Sequence, residues 1–182
     1  MSKVRRRTRE TTVVVDLRRE AGSGAADIET TRPFLDHMLE ALARYSGLDL
    51  EIRAQGDLPH HVVEDVGITL GLALEAEIPE ACVRYGAALV PMDDALVQVA
   101  LDAGGRSYYE GPLPDQLAEH FLRSLADQAG LTLHVQVFRG ADEHHVVEAA
   151  FKALGLALRQ ALAPGDVVFS TKGAIEIDRM EE

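Results

Sequence analysis

Apolar and polar residues alternate along the start of the chain with the two-residue period of β-strands. Residues 3–18 alternate and then run β-branched, which predicts an edge strand followed by a buried strand. Gly22-Ser23-Gly24 has the composition of a tight turn. We therefore expect Thr12–Arg19 and Ala25–Thr30 to pair with each other as a β-hairpin.

After this segment the period lengthens to that of amphipathic helices, and helices and strands then follow one another. A proline near the first turn and a glycine beyond the last turn are typical of helix ends. In order, the pattern predicts a helix from Pro33 to Gly47, a strand over 48–54, a helix from His60 to Ile78, strands over 87–91, 95–102 and 106–110, a helix from Pro114 to Gly130, a strand over 131–138 and a helix over 142–163.

The second half of this order repeats the first. His37 and His120 each stand ten residues before a glycine that ends a helix, and Gly-Leu-Ala-Leu occurs at both 71–74 and 155–158. Such an internal duplication predicts an α+β fold of two βββαβα halves, with the helices packed between two mixed β-sheets. We expect one compact unit with its first half at 1–80, its second half at 81–164 and a C-terminal tail at 165–182.

The same pentapeptide stands in both halves, as His60-His61-Val62-Val63-Glu64 and as His144-His145-Val146-Val147-Glu148. On a helix, the glutamate lies one turn from both histidines. The two imidazoles point about 100° apart because a helix has 3.6 residues per turn. One pentapeptide can thus hold a metal between one histidine and the glutamate while its other histidine faces a second ion. Two copies predict a two-metal site, for which these ligands suit Zn, Mn, Fe or Ni.

Composition narrows the class of function. The 182 residues are 47% hydrophobic, enough for a core, and the net charge of −12 argues against binding to nucleic acid or an anionic membrane. A single cysteine, Cys82, excludes an internal disulfide. No apolar run is long enough to span a bilayer, and no apolar segment follows Arg5-Arg6-Arg7 as it would in a secretory signal. We therefore expect a cytoplasmic protein.

Further motifs surround the pentapeptides in a fixed order along nearly the whole chain. They are Phe34-Leu35-Asp36-His37-Met38-Leu39, Gly56-Asp57-Leu58, Arg84-Tyr85-Gly86, Leu89-Val90-Pro91-Met92-Asp93, Gly105-Arg106, Ala129-Gly130-Leu131-Thr132-Leu133-His134, Phe151-Lys152-Ala153 and Ser170-Thr171-Lys172-Gly173. Each motif is weak alone, whereas their common order and spacing are specific. The sequence resembles the imidazoleglycerol-phosphate dehydratases of histidine biosynthesis.

The resemblance implies a cofactor of two manganese ions per active site. By matching motif positions, one ion takes His60, His134, His144 and Glu148, and the other takes His37, His61, Glu64 and His145. His120 has no ligand role in this scheme, and we expect it to be an ordinary helix histidine.

The resemblance also implies a reaction, the dehydration of imidazole glycerol phosphate to imidazole acetol phosphate. In this family the metals stabilise an imidazolate, which expels the hydroxyl group to give a diazafulvene-like intermediate. Glu10 matches the family's acid–base glutamate, and Glu148 and His61 are the further catalytic candidates. Because a strand-end glutamate is usually only a surface residue, the role of Glu10 depends on the resemblance.

The phosphate group of such a substrate needs cations and hydrogen-bond donors. Family members assemble as 24-subunit homo-oligomers with active sites at subunit contacts, so we expect the same partners here. The family-matched candidates for binding the substrate and its phosphate are Arg84, Arg106, Lys152, Ser170, Lys172 and Tyr45.

Some residues depart from the family pattern, all around the first half. Tyr45 stands where the family usually has a histidine, and Pro59 stands where an aspartate usually precedes His60, in a shortened loop. The alternative is therefore a relative with an altered substrate, or a non-catalytic protein whose metals only organise an assembly. A dinuclear metal hydrolase fits the ligand types too, but its expected bridging carboxylates have no separate support.

Overall fold

The chain folds into two copies of one order of elements, as the duplication predicts. The computed structural model describes residues 1–19 and 22–165. The first half contains β1 (Ser2–Arg7), β2 (Thr11–Arg18), β3 (Ala26–Glu29), α1 (Pro33–Ser46), β4 (Asp49–Gly56) and α2 (Pro59–Glu75). The second half contains β5 (Tyr85–Met92), β6 (Ala95–Ala103), β7 (Tyr108–Glu110), α3 (Gln116–Ala129), β8 (Leu131–Arg139) and α4 (Glu143–Ala161).

Each half forms a mixed four-stranded sheet. The strand orders are β1-β2-β4-β3 and β5-β6-β8-β7. In both sheets the third strand of the half runs parallel to the fourth, and the other pairs are antiparallel. The parallel pairs are joined through α1 and α3, because a parallel connection needs a crossover that a tight turn cannot supply.

The predicted hairpin between residues 12–19 and 25–30 is wrong. β4 lies between β2 and β3, pairing antiparallel with β2 and parallel with β3. The reason is burial. β4 turns Leu50, Ile52 and Ala54 into the core, whereas β3 has four residues of which only Ile28 is partly buried. The longer apolar strand therefore occupies the centre of the sheet, and the short polar strand lies at its edge.

The four helices lie between the two sheets, as predicted. α2 packs on β1, β2 and β4 and α1 on β3, while α4 packs mainly on β5 and β6 and α3 on β7 and β8. Across the middle, α1 contacts α4 and α2 contacts α3. The rings of Phe121 on α3 and Phe151 on α4 stack at the centre with centroids 5.4 Å apart, and both are fully buried.

Glycines permit the close approach of the paired helices. A Cβ atom added to Gly155 on α4 would lie 2.8 Å from Cβ of Tyr45 and 2.9 Å from the backbone nitrogen of Ser46 on α1. At Gly71 on α2 it would lie 2.8 Å from the carbonyl oxygen of Leu125 on α3. The repeated Gly-Leu-Ala-Leu segments are therefore the two points at which helices of opposite halves cross.

Within residues 1–19 and 22–165, no helix combines the length and apolar character that crossing a membrane requires. Nearly all of the predicted tail lies outside the described residues, including the phosphate candidates Ser170 and Lys172.

Candidate metal centre

The contact between α1 and α4 brings together three potential metal ligands. Nε2 of His37 lies 3.4 Å from Oε2 of Glu148, and Nε2 of His144 lies 3.1 Å from the same oxygen. The donor atoms of all three residues lie within 4.8 Å of one another. Two imidazoles and a carboxylate at this separation can hold one divalent cation. We call these residues the α1/α4 cluster.

Lys152 and Tyr45 border the α1/α4 cluster. Nζ of Lys152 lies 2.9 Å from Oε1 of Glu148 and 5.7 Å from the ring centroid of Tyr45. Burial of Glu148 acts to raise the pKa of its carboxyl group, but the charges of Lys152 and His37 outweigh this and lower the pKa below its ordinary value. The carboxylate is thus held in the ionised form that a metal ligand requires.

A second trio forms where α2 meets α3. Nε2 of His60 lies 3.7 Å from Oε2 of Glu64, and Nε2 of His120 lies 3.5 Å from Oε1 of Glu64. The rings of His60 and His120 stack with centroids 4.6 Å apart, and the donor atoms of the three residues lie within 4.8 Å. We call these residues the α2/α3 cluster.

The α2/α3 cluster includes a residue to which the sequence analysis gave no ligand role. His120 corresponds to His37 in the duplication, and each lies beside the pentapeptide of the opposite half because α1 packs on α4 and α3 packs on α2. The equal spacing of both histidines from a helix-ending glycine was the signal that could have found it.

The second histidine of each pentapeptide faces an aspartate instead. Nδ1 of His61 lies 2.8 Å from Oδ1 of Asp57, and Nδ1 of His145 lies 2.8 Å from Oδ1 of Asp94. From the sequence, Asp57 was named only as part of a motif and without a role, and Asp94 was not named. For Asp57 the available signal was its position one helical turn before His61. Nothing along the chain links Asp94 to His145, since they are 51 residues apart.

Ionic hydrogen bonds shift the pKa values of these groups in the expected directions. The bond to Asp57 raises the pKa of His61, and the same bond lowers the pKa of Asp57. The backbone N–H of Ala141, followed by the side chain of His145, lowers the pKa of Asp94 to about 2. Both carboxylates are therefore ionised at neutral pH.

Glu10 lies beside the first pentapeptide. Its Oε2 is 3.7 Å from Nδ1 of His61, and its carbonyl oxygen accepts a 3.1 Å hydrogen bond from the backbone N–H of Asp57. The turn that carries Glu10 is fixed to α2 through the buried Asp65, which accepts a hydrogen bond from Thr11 and lies 3.1 Å from the guanidinium of Arg6. Glu10 itself is more than half exposed, so a small molecule can contact it.

Other predicted residues of the same chain lie outside both clusters. His134 is exposed on β8, between the buried Leu133 and Val135, so it faces away from the helices. Arg84 is ion-paired to Asp102, with 2.6 Å from Nε to Oδ1, and lines a cavity of about 430 Å³ at the C-terminal ends of α2 and α3. Because α2 has 17 residues and its pentapeptide is at its beginning, roughly 20 Å separate Arg84 from that pentapeptide.

The single chain therefore groups the predicted ligands differently from the ion sets that the resemblance implies. His144 and Glu148 of one set lie together, but His37 of the other set lies with them. His60 lies with Glu64, although the resemblance assigns them to different ions. Arg106 is exposed in the turn before β7, where its carbonyl oxygen accepts a hydrogen bond from Thr132.

Comparison with known proteins decides the family. The profile described as imidazoleglycerol-phosphate dehydratase matches residues 30–158. The chain belongs to the imidazoleglycerol-phosphate dehydratase family.

Relatives within this family cover almost the full length of the chain. The imidazoleglycerol-phosphate dehydratase of Methanoculleus marisnigri is 47% identical over 96% of this chain and 98% of its own, and that of Pyrobaculum arsenaticum is 48% identical over 93% and 98%. The crystal structure of IGPD from Pyrococcus furiosus in complex with (S)-C348 is similar with a TM-score of 0.85 and 41% identity, covering 94% of this chain and 100% of that chain. The match confirms the α+β fold and the predicted family.

Proposed function

We propose that the chain is an imidazoleglycerol-phosphate dehydratase, which removes water from imidazole glycerol phosphate to give imidazole acetol phosphate. The observation that carries the proposal is the pair of matched His-His-x-x-Glu helices, each with its glutamate within 3.1–3.7 Å of its own first histidine. Family membership supplies the substrate, and Glu10 next to His61 supplies the acid–base group that a purely structural metal site does not need.

We propose two Mn²⁺ ions per active site, with the ligands that the family resemblance implies. The α1/α4 cluster fits a divalent cation by its donor types and by the separation of its donor atoms. When bound, the ions would stabilise negative charge on the imidazole ring of the substrate. The proposed ligands are His60, His134, His144 and Glu148 for one ion, and His37, His61, Glu64 and His145 for the other. Because one chain groups His37 with His144 and Glu148, these sets require ligands from more than one copy of the chain.

Proton transfer falls to residues around the ligands. Dehydration breaks one C–H bond and the adjacent C–O bond. A base takes the proton from carbon, and the departing hydroxide takes up one proton to leave as water, so there is no net change in protons. We assign the acid–base role to Glu10, whose exposed carboxylate lies beside His61. We assign His61 and Glu148 to the same chemistry as metal ligands. His61 is held by the carboxylate of Asp57, and Glu148 is held by the ammonium group of Lys152. The resulting enol then ketonises to the product.

We propose that the substrate phosphate is bound by Arg84, Arg106, Lys152, Ser170 and Lys172, with Tyr45 near the substrate. Lys152 and Tyr45 support this proposal because they border the α1/α4 cluster. Arg84 lies roughly 20 Å from the first pentapeptide of its own chain, so one chain does not bring Arg84 to that pentapeptide.

We therefore propose that several copies of the chain build each site, in a homo-oligomer of the 24-subunit type. The positions of Arg84 and His134, outside the two clusters, support a shared site. A second copy of the chain could bring its own Arg84 and His134 to the clusters of the first copy. The chain would act in the cytoplasm, in keeping with its single free cysteine.

Turnover of the proposed substrate tests this function. Protein loaded with Mn²⁺ is incubated with imidazole glycerol phosphate, and the ketone product is followed as its enolate in alkali. We expect product formation that stops with a chelator and returns with Mn²⁺. A protein that binds about two metals but forms no product would favour an altered substrate or a metal-organised assembly instead.

Glu10→Gln tests the acid–base assignment. Because the amide cannot take up the proton, we expect turnover to fall by about 10²–10⁴-fold while folding and metal content stay unchanged. Glu29→Gln is the matched control, since Glu29 is an exposed glutamate of the same sheet. A wild-type rate in Glu10→Gln would reduce Glu10 to a surface residue.

A further inference from the structure

Asp57 contacts the backbone and a histidine side chain at the beginning of α2. Its Oδ1 accepts a 2.7 Å hydrogen bond from the backbone N–H of Leu58 and lies 2.8 Å from Nδ1 of His61. An ionised carboxylate can only accept hydrogen bonds, so the proton between Asp57 and His61 belongs to Nδ1. In a neutral imidazole, Nε2 then keeps its lone pair, which is the form that binds a metal.

The second half of the duplication repeats this arrangement with different parts. Nδ1 of His145 lies 2.8 Å from Oδ1 of Asp94, the same separation as between His61 and Asp57. Asp57 comes from the loop before α2, whereas Asp94 comes from the turn between β5 and β6. Two unrelated loops thus supply a carboxylate to the equivalent histidine, which an accidental surface contact does not explain.

The loop sequence explains how Asp57 can contact His61. β4 ends at Gly56 and Pro59 begins α2, so only Asp57 and Leu58 lie between them. Because the loop is short, the side chain four residues before His61 lies over the first turn of the helix. The two-residue loop therefore places the carboxylate of Asp57 against Nδ1 of His61.

We propose that Asp57 is a positioning residue, which orients the ring of His61 through Nδ1 and leaves Nε2 to bind a divalent cation. Asp94 holds Nδ1 of His145 in the same way, while Nε2 of His145 lies 3.3 Å from Oδ2 of Asp93. This inference rests on the proposed metal centre. Outer carboxylates of this kind fix the tautomer and raise the basicity of the histidine that binds the metal. Asp57 does not itself touch the cation or the substrate.

The test measures Mn²⁺ binding to the complete oligomer, with Mn²⁺ alone as the probe and a competing chelator to resolve the two ions. The variants are Asp57→Ala, Asp57→Asn, and His61→Ala as the reference for loss of the ligand. Asp27→Ala is the matched control, because Asp27 is an exposed aspartate that pairs with Arg53 on the first sheet. The unfolding midpoint of each metal-free protein is measured alongside.

We expect Asp57→Ala to weaken one of the two ions by about 10–100-fold, the usual effect of losing such a partner, with the other ion and the metal-free midpoint unchanged. Asp57→Asn should lose less, because its amide oxygen can still accept from Nδ1. Two results would overturn the inference: wild-type affinity for both ions in Asp57→Ala, or an equal loss of both, which indicates a general structural role.

The proposed function fails separately from this inference. If wild-type protein binds fewer than two ions or does not turn over imidazole glycerol phosphate, the metal centre itself is wrong. If wild-type protein does both and Asp57→Ala binds both ions as tightly, only the role of Asp57 is wrong.

Discussion

Glu148 contacts candidate site residues of both α1 and α4. It is buried, with 6% of its surface exposed, yet it contacts two histidines and a lysine. A buried carboxylate without partners would take up a proton, because burial disfavours the charged form. The positive charge of Lys152 prevents this protonation by lowering the pKa of Glu148, so the carboxylate stays ionised and can bind a cation near neutral pH.

Lys152→Gln should therefore move the acid limit of Mn²⁺ binding to higher pH. The lysine lowers the pKa of Glu148, so removing it raises that pKa, and protons then compete with the metal at a pH where they previously did not. Mn²⁺ bound at equilibrium is measured from pH 4 to pH 7. Lys3→Gln, a lysine paired with Asp16 on the first sheet, is the control. An unchanged limit in Lys152→Gln would contradict this account of Glu148.

At the scale of elements, the crossings of α1 with α4 and of α2 with α3 form the site. Each crossing puts a histidine of one half against the pentapeptide of the other half. The distance between the helices depends on Gly155 and Gly71, which leave no room for a methyl group beside the opposite backbone. Close packing of the helices and clustering of the ligands thus have one cause.

Gly155→Ala should destabilise the protein, although alanine favours helix by about 1 kcal/mol over glycine. The added methyl group would overlap Tyr45 and Ser46 and separate α1 from α4, which costs about 1–3 kcal/mol. After the helix gain is subtracted, we expect a net loss of up to about 2 kcal/mol. The free energy of unfolding of the metal-free protein is measured in urea. Arg159→Ala on the exposed end of α4 is the control and should change it by less than about 0.5 kcal/mol. Greater stability in Gly155→Ala would contradict the packing argument.

Much of the element order could be predicted because it is a local property. The helices and strands follow from apolar periodicity, and Gly47 and Gly130 end α1 and α3 in the left-handed conformation as expected. The order of strands was not predicted, because the turn at 22–24 fits a hairpin equally well. Only the greater burial of β4 puts it between β2 and β3.

The candidate site could be predicted in its residue types but not in its grouping. The two pentapeptides could be recognised because the same five residues occur twice. The pairing of α1 with α4 and of α3 with α2 is decided by tertiary packing, which no spacing along the chain encodes. For this reason the contact of Asp94 with His145 could not be predicted. His120 was set aside because the family ligand pattern gives it no role, although its spacing from Gly130 equals that of His37 from Gly47.

At the scale of the whole molecule, the two ligand clusters and the candidate phosphate ligand Arg84 lie at different ends of the helices. The chain holds its ligand clusters near the beginnings of α2 and α4, and Arg84 lines a cavity at the ends of α2 and α3. A substrate the size of a sugar phosphate does not extend over the roughly 20 Å between the pentapeptide of α2 and Arg84. To bind one substrate molecule together, Arg84 of one copy must therefore lie beside the clusters of another copy.

Mixing two inactive variants tests this central claim most directly. Glu148→Ala and Arg84→Ala are each expected to abolish turnover of imidazole glycerol phosphate. They are dissociated, mixed in equal amounts and reassembled with Mn²⁺. If each site takes Glu148 and Arg84 from different copies, about a quarter of the sites in a random mixture receive both intact residues, and about a quarter of the wild-type rate returns. If the mixture is verified to contain both chains and stays as inactive as its parents, the account of a dehydratase site shared between copies is contradicted.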